Sequence, residues 1–136
     1  MKEINQDTND MLELAKIDYI SAKKLEDPYS YSTCKYHQKQ CVEKILKAYL
    51  IEHKEIPRKT HVLEDLYDDC KKYGLTLNKE TDIQLRVLTN FEADSRYIRS
   101  TKSKENEHED IELGWECIET VKIALQSELG IELFDK

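Results

Sequence analysis

Three glycines and two prolines are all that interrupt 136 residues. A fold of strands and tight turns needs a turn signal about every ten residues, and glycine and proline supply most of them. So few breakers leave one economical solution, which is long helices joined by short connections. The apolar residues agree. Met11, Ala15, Tyr19 and Ala22 recur at steps of four, with Leu12 and Leu25 beside them. This is a core-facing stripe on a helix from Thr8 or Asn9 to about Glu26, ended by Asp27-Pro28 because the residue before proline avoids the helical region.

The second helix is capped by Ser32 or Thr33 and runs to about Glu52. After the break at Ile56-Pro57, Thr60 is placed to cap a third helix through Val62, Leu63, Leu66, Tyr67, Cys70 and Tyr73, with Gly74 at its C′ position. Asn78 opens a fourth, with Ile83, Val87 and Phe91 in one row and Leu85 and Leu88 in another. A fifth starts near Asp110, faces Ile111, Trp115, Ile118, Val121, Leu125 and Leu129 inward, and stops at Gly130. Residues 100–109 are almost entirely polar and read as a mobile loop. No stretch shows sustained strand alternation. The expected architecture is all-α, an antiparallel up-and-down bundle of four or five helices in one domain spanning residues 1–136. Charged residues at 36% against 39% hydrophobic imply a modest core under a charged skin.

Within the second helix, Tyr36–Leu50 has two faces at about 100° per residue. Cys34, Cys41, Val42, Ile45, Ala48 and Tyr49 share the apolar one. Gln40, Glu43, Lys44 and Lys47 gather on the other, with His37 at its edge. An amide, a carboxylate and two ammonium groups so close together have two readings. One is helix electrostatics, since Glu43 and Lys47 stand i, i+4 in the favourable order, worth about 0.3 kcal/mol on an exposed face. The other is a pocket in which the lysines meet phosphate and Gln40 meets a base or ribose. Arg58, Lys59 and His61 beside a helix start are a second place for an anion. Arg96, Arg99, Lys102 and Lys104 form a third basic segment, running directly into acidic residues.

Other classes are set aside. A net charge of −7 opposes nucleic-acid binding by bulk electrostatics, though not by a local patch. There is no apolar run of the about 18 residues that cross a membrane, and the N-terminus has no apolar signal core, so a cytoplasmic location is expected. The cysteines (34, 41, 70 and 117) form no Cys-x-x-Cys pair and read as small buried residues in a reducing compartment, with no zinc ligand set. No glycine-rich phosphate loop is present, no metal site or cofactor is expected, and no catalytic residue is assigned.

The segment Tyr36-His37-Gln38-Lys39-Gln40-Cys41-Val42-Glu43-Lys44-Ile45-Leu46-Lys47-Ala48 resembles the aromatic-His-x-Gln-Gln-x-x-Glu-Lys-x-x-Lys-Ala helix of HEPN domains. Pro57-Arg58-Lys59-Thr60-His61-x-Leu63 and Asp94-Ser95-Arg96-Tyr97 resemble later motifs of that family, in the right order. Lys39 stands where the first glutamine of the pair is usual, Gln38 replaces a small residue, Val62 replaces an acid and Ile98 a proline. The resemblance implies a helical bundle, commonly a homodimer. It also implies a module that binds a nucleotide, nucleic acid or partner protein, often alongside a small nucleotidyltransferase in a defence or toxin–antitoxin system. On it, the expected ligand-binding residues are His37, Gln40, Glu43, Lys44, Lys47, Arg58, His61 and Arg96. One branch of the family cleaves RNA with an arginine followed four to six residues later by histidine. Here Arg58 to His61 is too short and Arg99 to His108 too long. Enzymatic activity is therefore not expected, and a ribonuclease with a divergent site or a purely structural dimerisation domain are the alternatives.

Overall fold

The computed structural model describes residues 3–91 and 104–134. It contains five helices: α1 (Gln6–Lys24), α2 (Tyr31–Glu52), α3 (Leu63–Lys71), α4 (Lys79–Thr89) and α5 (Lys104–Leu129). No strand occurs among the described residues, and no described helix is long and apolar enough to cross a membrane. Helices α1, α2, α4 and α5 alternate in direction. The start of α1 meets the end of α2, where the Asn5 backbone N–H donates to Glu52 Oε1 at 3.0 Å. The end of α1 meets the start of α2 at Ala22 and Cys34. Helix α5 runs alongside α2 in the same direction, tied by Lys35 to Asp110 at one end and by Tyr49 to Glu128 at the other. The short α3 lies in the α2–α4 connection and packs on both.

Helix α2 is the centre of this arrangement, touching all four others. Its central position sets its burial. Cys41, Val42, Ile45, Leu46, Ala48, Tyr49 and Leu50 are sealed in the main core, joined by Leu63 and Leu66 of α3, Leu85 and Leu88 of α4, and Ile118, Val121 and Leu125 of α5. But Lys35, Gln38, Lys39 and Glu43 are buried too. The two-faced reading of α2 is corrected on this point: bundle neighbours cover nearly the whole circumference, and no broad solvated side remains.

Helix ends differ from expectation where tertiary partners decide them. Helix α1 starts earlier than Thr8 because Asn5 caps it, its Oδ1 accepting from the Thr8 N–H at 2.7 Å. Helix α2 starts at Tyr31, ahead of Ser32. Thr60 does not cap α3. Its hydroxyl accepts from Val62 N–H in a local turn, and the first N–H of α3, on Leu63, is instead met by Thr89 Oγ1 from α4 at 3.0 Å. Gly74, at φ +104°, follows α3 two residues beyond its C-cap Lys72. Asn78 caps α4 as expected, donated to by Thr81 N–H, but Ile83 faces out rather than joining the core row.

The expected loop at 100–109 is corrected over its second half: residues 104–109 are the first turns of α5. Polar composition gave no local signal for this. The anchors are tertiary, namely Asp110 on Lys35, Ile111 packed with Ala22 and Cys34, and Tyr31 against His108. Residues 100–103 of that stretch lie outside the described residues. At the far end the tail folds back on α1, with Leu133 buried and Phe134 stacked on Tyr19 at 4.8 Å.

The candidate site along helix α2

Two buried carboxylates organise the polar residues of α2. The first is Asp18, which α1 presents to α2 from between Ala15 and Ala22 on its core side. Its Oδ1 lies 2.8 Å from His37 Nδ1, and its Oδ2 accepts from Lys44 Nζ. His37 and Lys44 stand seven residues apart, about two turns or ~10 Å along the axis, so one carboxylate bridges two basic groups of the neighbouring helix.

The second is Glu43, 3% exposed. Oε2 accepts from Lys47 Nζ at 2.9 Å, and Oε1 lies 3.3 Å from His61 Nδ1. The loop after α2 delivers His61 to this point. Its ring is otherwise in solvent, with the side chain 74% exposed. An ionised carboxylate only accepts, so Nδ1 carries the proton of that contact and Nε2 faces outward. The third basic group of α2, Lys35, pairs with Asp110 at 3.1 Å and lies over the Phe91 ring.

Lys39 differs from the rest. It is 3% exposed and forms no ion pair with any described residue. Gln38, fully buried on the α5 side, donates from Nε2 to the Ile111 carbonyl at 2.9 Å, while its Oε1 has no hydrogen-bond partner. It occupies the space that a side chain at position 114 of α5 would need, so Gly114 is the residue that admits it.

Five of the eight expected site residues (His37, Glu43, Lys44, Lys47 and His61) thus fall into two linked groups on α2 and its flanks. Gln40 lies on the same partly exposed edge, half-buried and without a hydrogen bond to a described residue. Arg58 does not join them. Its guanidinium forks onto Asp69, with Nε at 2.8 Å and Nη2 at 3.2 Å, and also donates to the Asp65 carbonyl. It fastens the loop to α3, with the side chain still 53% exposed. Arg96 lies outside the described residues. Asp18 and Asp110 were not among the expected site residues. The available signal for Asp18 was its place, four before Ala22 and three after Ala15 on the apolar stripe, where a carboxylate requires a basic partner.

His108 is held at both ring nitrogens, by Tyr31 Oη at 3.4 Å and Glu112 at 2.9 Å, which leaves neither free for a substrate. All four thiols are reduced and buried. A concavity of about 730 Å³ lies elsewhere, between the first half of α1 and the C-terminal tail, lined by Ile4, Leu12, Lys16, Ile131 and Phe134. None of the expected site residues among the described residues lines it.

A sequence model of the HEPN domain matches residues 8–126, from early in α1 to near the end of α5. Comparisons with curated proteins and with solved structures gave no match.

Proposed function

This chain belongs to the HEPN domain family, and we propose that it is a binding module whose ligand carries phosphate, a nucleotide or a short stretch of RNA, held along the exposed edge of α2. The observation that carries the reading is the pair of buried carboxylates, Asp18 and Glu43, each fixing one lysine and one histidine at that edge. Each ammonium uses one of its three donors internally and keeps others for a ligand. Because the basic groups are already oriented, less side-chain entropy is lost on binding. With both histidines neutral, the two groups carry no net charge. Lys39, one turn before Glu43, then supplies the uncompensated positive charge. The affinity is local and electrostatic, as suits a chain whose overall charge is −7.

The test is fluorescence anisotropy with a labelled oligoribonucleotide, together with melting curves in millimolar nucleotide. Binding should weaken with salt. Lys44→Ala and Lys47→Ala should each lower the log–log salt slope by about one. Absence of any anisotropy change or melting shift, with the protein alone or beside a candidate partner, overturns the reading. The working unit in this reading is a cytoplasmic homodimer, acting with a small nucleotidyltransferase in a defence or toxin–antitoxin pair. Co-purification of the two products from one operon tests that part.

One observation favours a ribonuclease as the second reading. His61 is oriented by Glu43 through Nδ1 and presents Nε2 to solvent, the arrangement a general base requires. RNA cleavage that survives His61→Ala would remove it.

A further inference from the structure

Helix α1 turns three aliphatic side chains away from the bundle. Leu14, Ile17 and Ile20 are 47%, 59% and 42% exposed. They share one face, opposite the buried Leu12, Ala15 and Ala22, and none of them belongs to the core of this chain. A contiguous aliphatic stripe on the outside of a helix is unfavourable in water unless something covers it.

The charges around the stripe say what. One turn before Leu14 stands Asp10, and one turn after Ile20 stands Lys24, both exposed. These positions are symmetric about Ile17. If a second α1 lies antiparallel across this face, with Ile17 on a twofold axis, Leu14 meets Ile20 of the other copy and Asp10 meets Lys24. A parallel pairing would set Asp10 against Asp10 and Lys24 against Lys24. The stripe is therefore self-complementary in one orientation only, as a twofold interface requires. A membrane surface fits less well, because the flanks carry Asp10 and Glu13 and the chain is acidic.

We infer that the outer face of α1 is the surface through which two copies of this chain associate, antiparallel and centred on Ile17. The inference deepens the homodimer part of the reading above by naming its face and register. Helix α1 is 19 residues long, about 28 Å at ~1.5 Å per residue. A single helix face of that length gives less than the about 800 Å² a side of an ordinary specific interface. The dimer is therefore a weak one.

Sedimentation velocity across a concentration series reads this directly. The wild-type chain should dimerise at the higher concentrations. Ile17→Asp should sediment as a monomer with unchanged far-ultraviolet circular dichroism. Asp10→Lys and Lys24→Asp should each raise the dissociation constant about fivefold, since each pair occurs twice by symmetry, and the double exchange should restore it. A wild-type monomer at every concentration overturns both the face and the homodimer reading. A dimer indifferent to Ile17→Asp overturns the face and leaves the homodimer standing. A double exchange no better than either single one overturns the register.

Discussion

Replacing Gly114 by alanine sets two effects of known size against each other. Within a helix, alanine is favoured over glycine by about 1 kcal/mol, and position 114 lies in the middle of α5. The added Cβ, however, would stand 2.6 Å from Gln38 Cδ and 2.9 Å from its Nε2, with Oε1 closer still. The end of a glutamine usually swings aside at little cost. Gln38 is fully buried, and its amide is bonded to the Ile111 carbonyl, so there is no water for it to swing into. Displacing it leaves that carbonyl and the amide without partners, about 1–3 kcal/mol, and overpacks the α2–α5 seam by a similar amount. The clash should win, and Gly114→Ala should destabilise the fold by about 1–5 kcal/mol, the sum of those costs less the propensity gain. In a Gln38→Ala background the obstacle is gone, and the same substitution should stabilise by about 1 kcal/mol. Urea unfolding of all four chains, followed by circular dichroism, gives the coupling between the two sites. A neutral or stabilising Gly114→Ala in the wild-type background would refute the reasoning, because it would mean that Gln38 has somewhere else to go.

Two further predictions rest on buried groups. Lys39→Met keeps the length of the side chain and removes a buried charge that no described carboxylate meets. It should stabilise the chain by about 1 kcal/mol or more, while weakening the ligand binding proposed above, and a loss of stability in the same urea assay would count against it. Burial pushes the thiols of Cys34, Cys70 and Cys117 up to about 12, and Cys41 in the same direction. The native state therefore holds them protonated while the unfolded chain ionises from about pH 9. Their contribution to stability is full below pH 9 and is lost as the pH rises towards 12. The urea midpoint should be insensitive to thiol ionisation at pH 7–8 and fall above 9. A disulfide reagent should leave the folded protein unlabelled at pH 8, and rapid labelling would show that the cysteines are not sealed.

Helices whose partners lie on one side were legible from local pattern. The stripe of α1 (Leu12, Ala15, Ala22), the row of α5 from Ile111 to Leu129 and the Asn78 cap of α4 stand where periodicity and capping chemistry put them. What local pattern missed depends on residues far away in the chain. The start of α5 is polar and is held by Lys35, some 75 positions earlier. The first N–H of α3 is met by Thr89, 26 positions later. Arg58 looked like an anion ligand because it follows a proline and precedes a helix. Its partner Asp69 faces it only once α3 has formed.

The site shows the same division with a functional consequence. Periodicity assigned Glu43, Lys44 and Lys47 to a solvated face, which assumes that a helix has only one buried side. A helix at the centre of a bundle has several, and polar residues there must be satisfied within the protein. Aliphatic residues at 35, 38, 39 and 43 would fill a central helix at lower cost. Three of these four polar side chains have a described partner, Asp110 for Lys35, the Ile111 carbonyl for Gln38, and Lys47 with His61 for Glu43. Only Lys39 lacks one. An anion at the α2 edge would supply the missing countercharge, which is why stabilising the chain at that position should cost it its ligand.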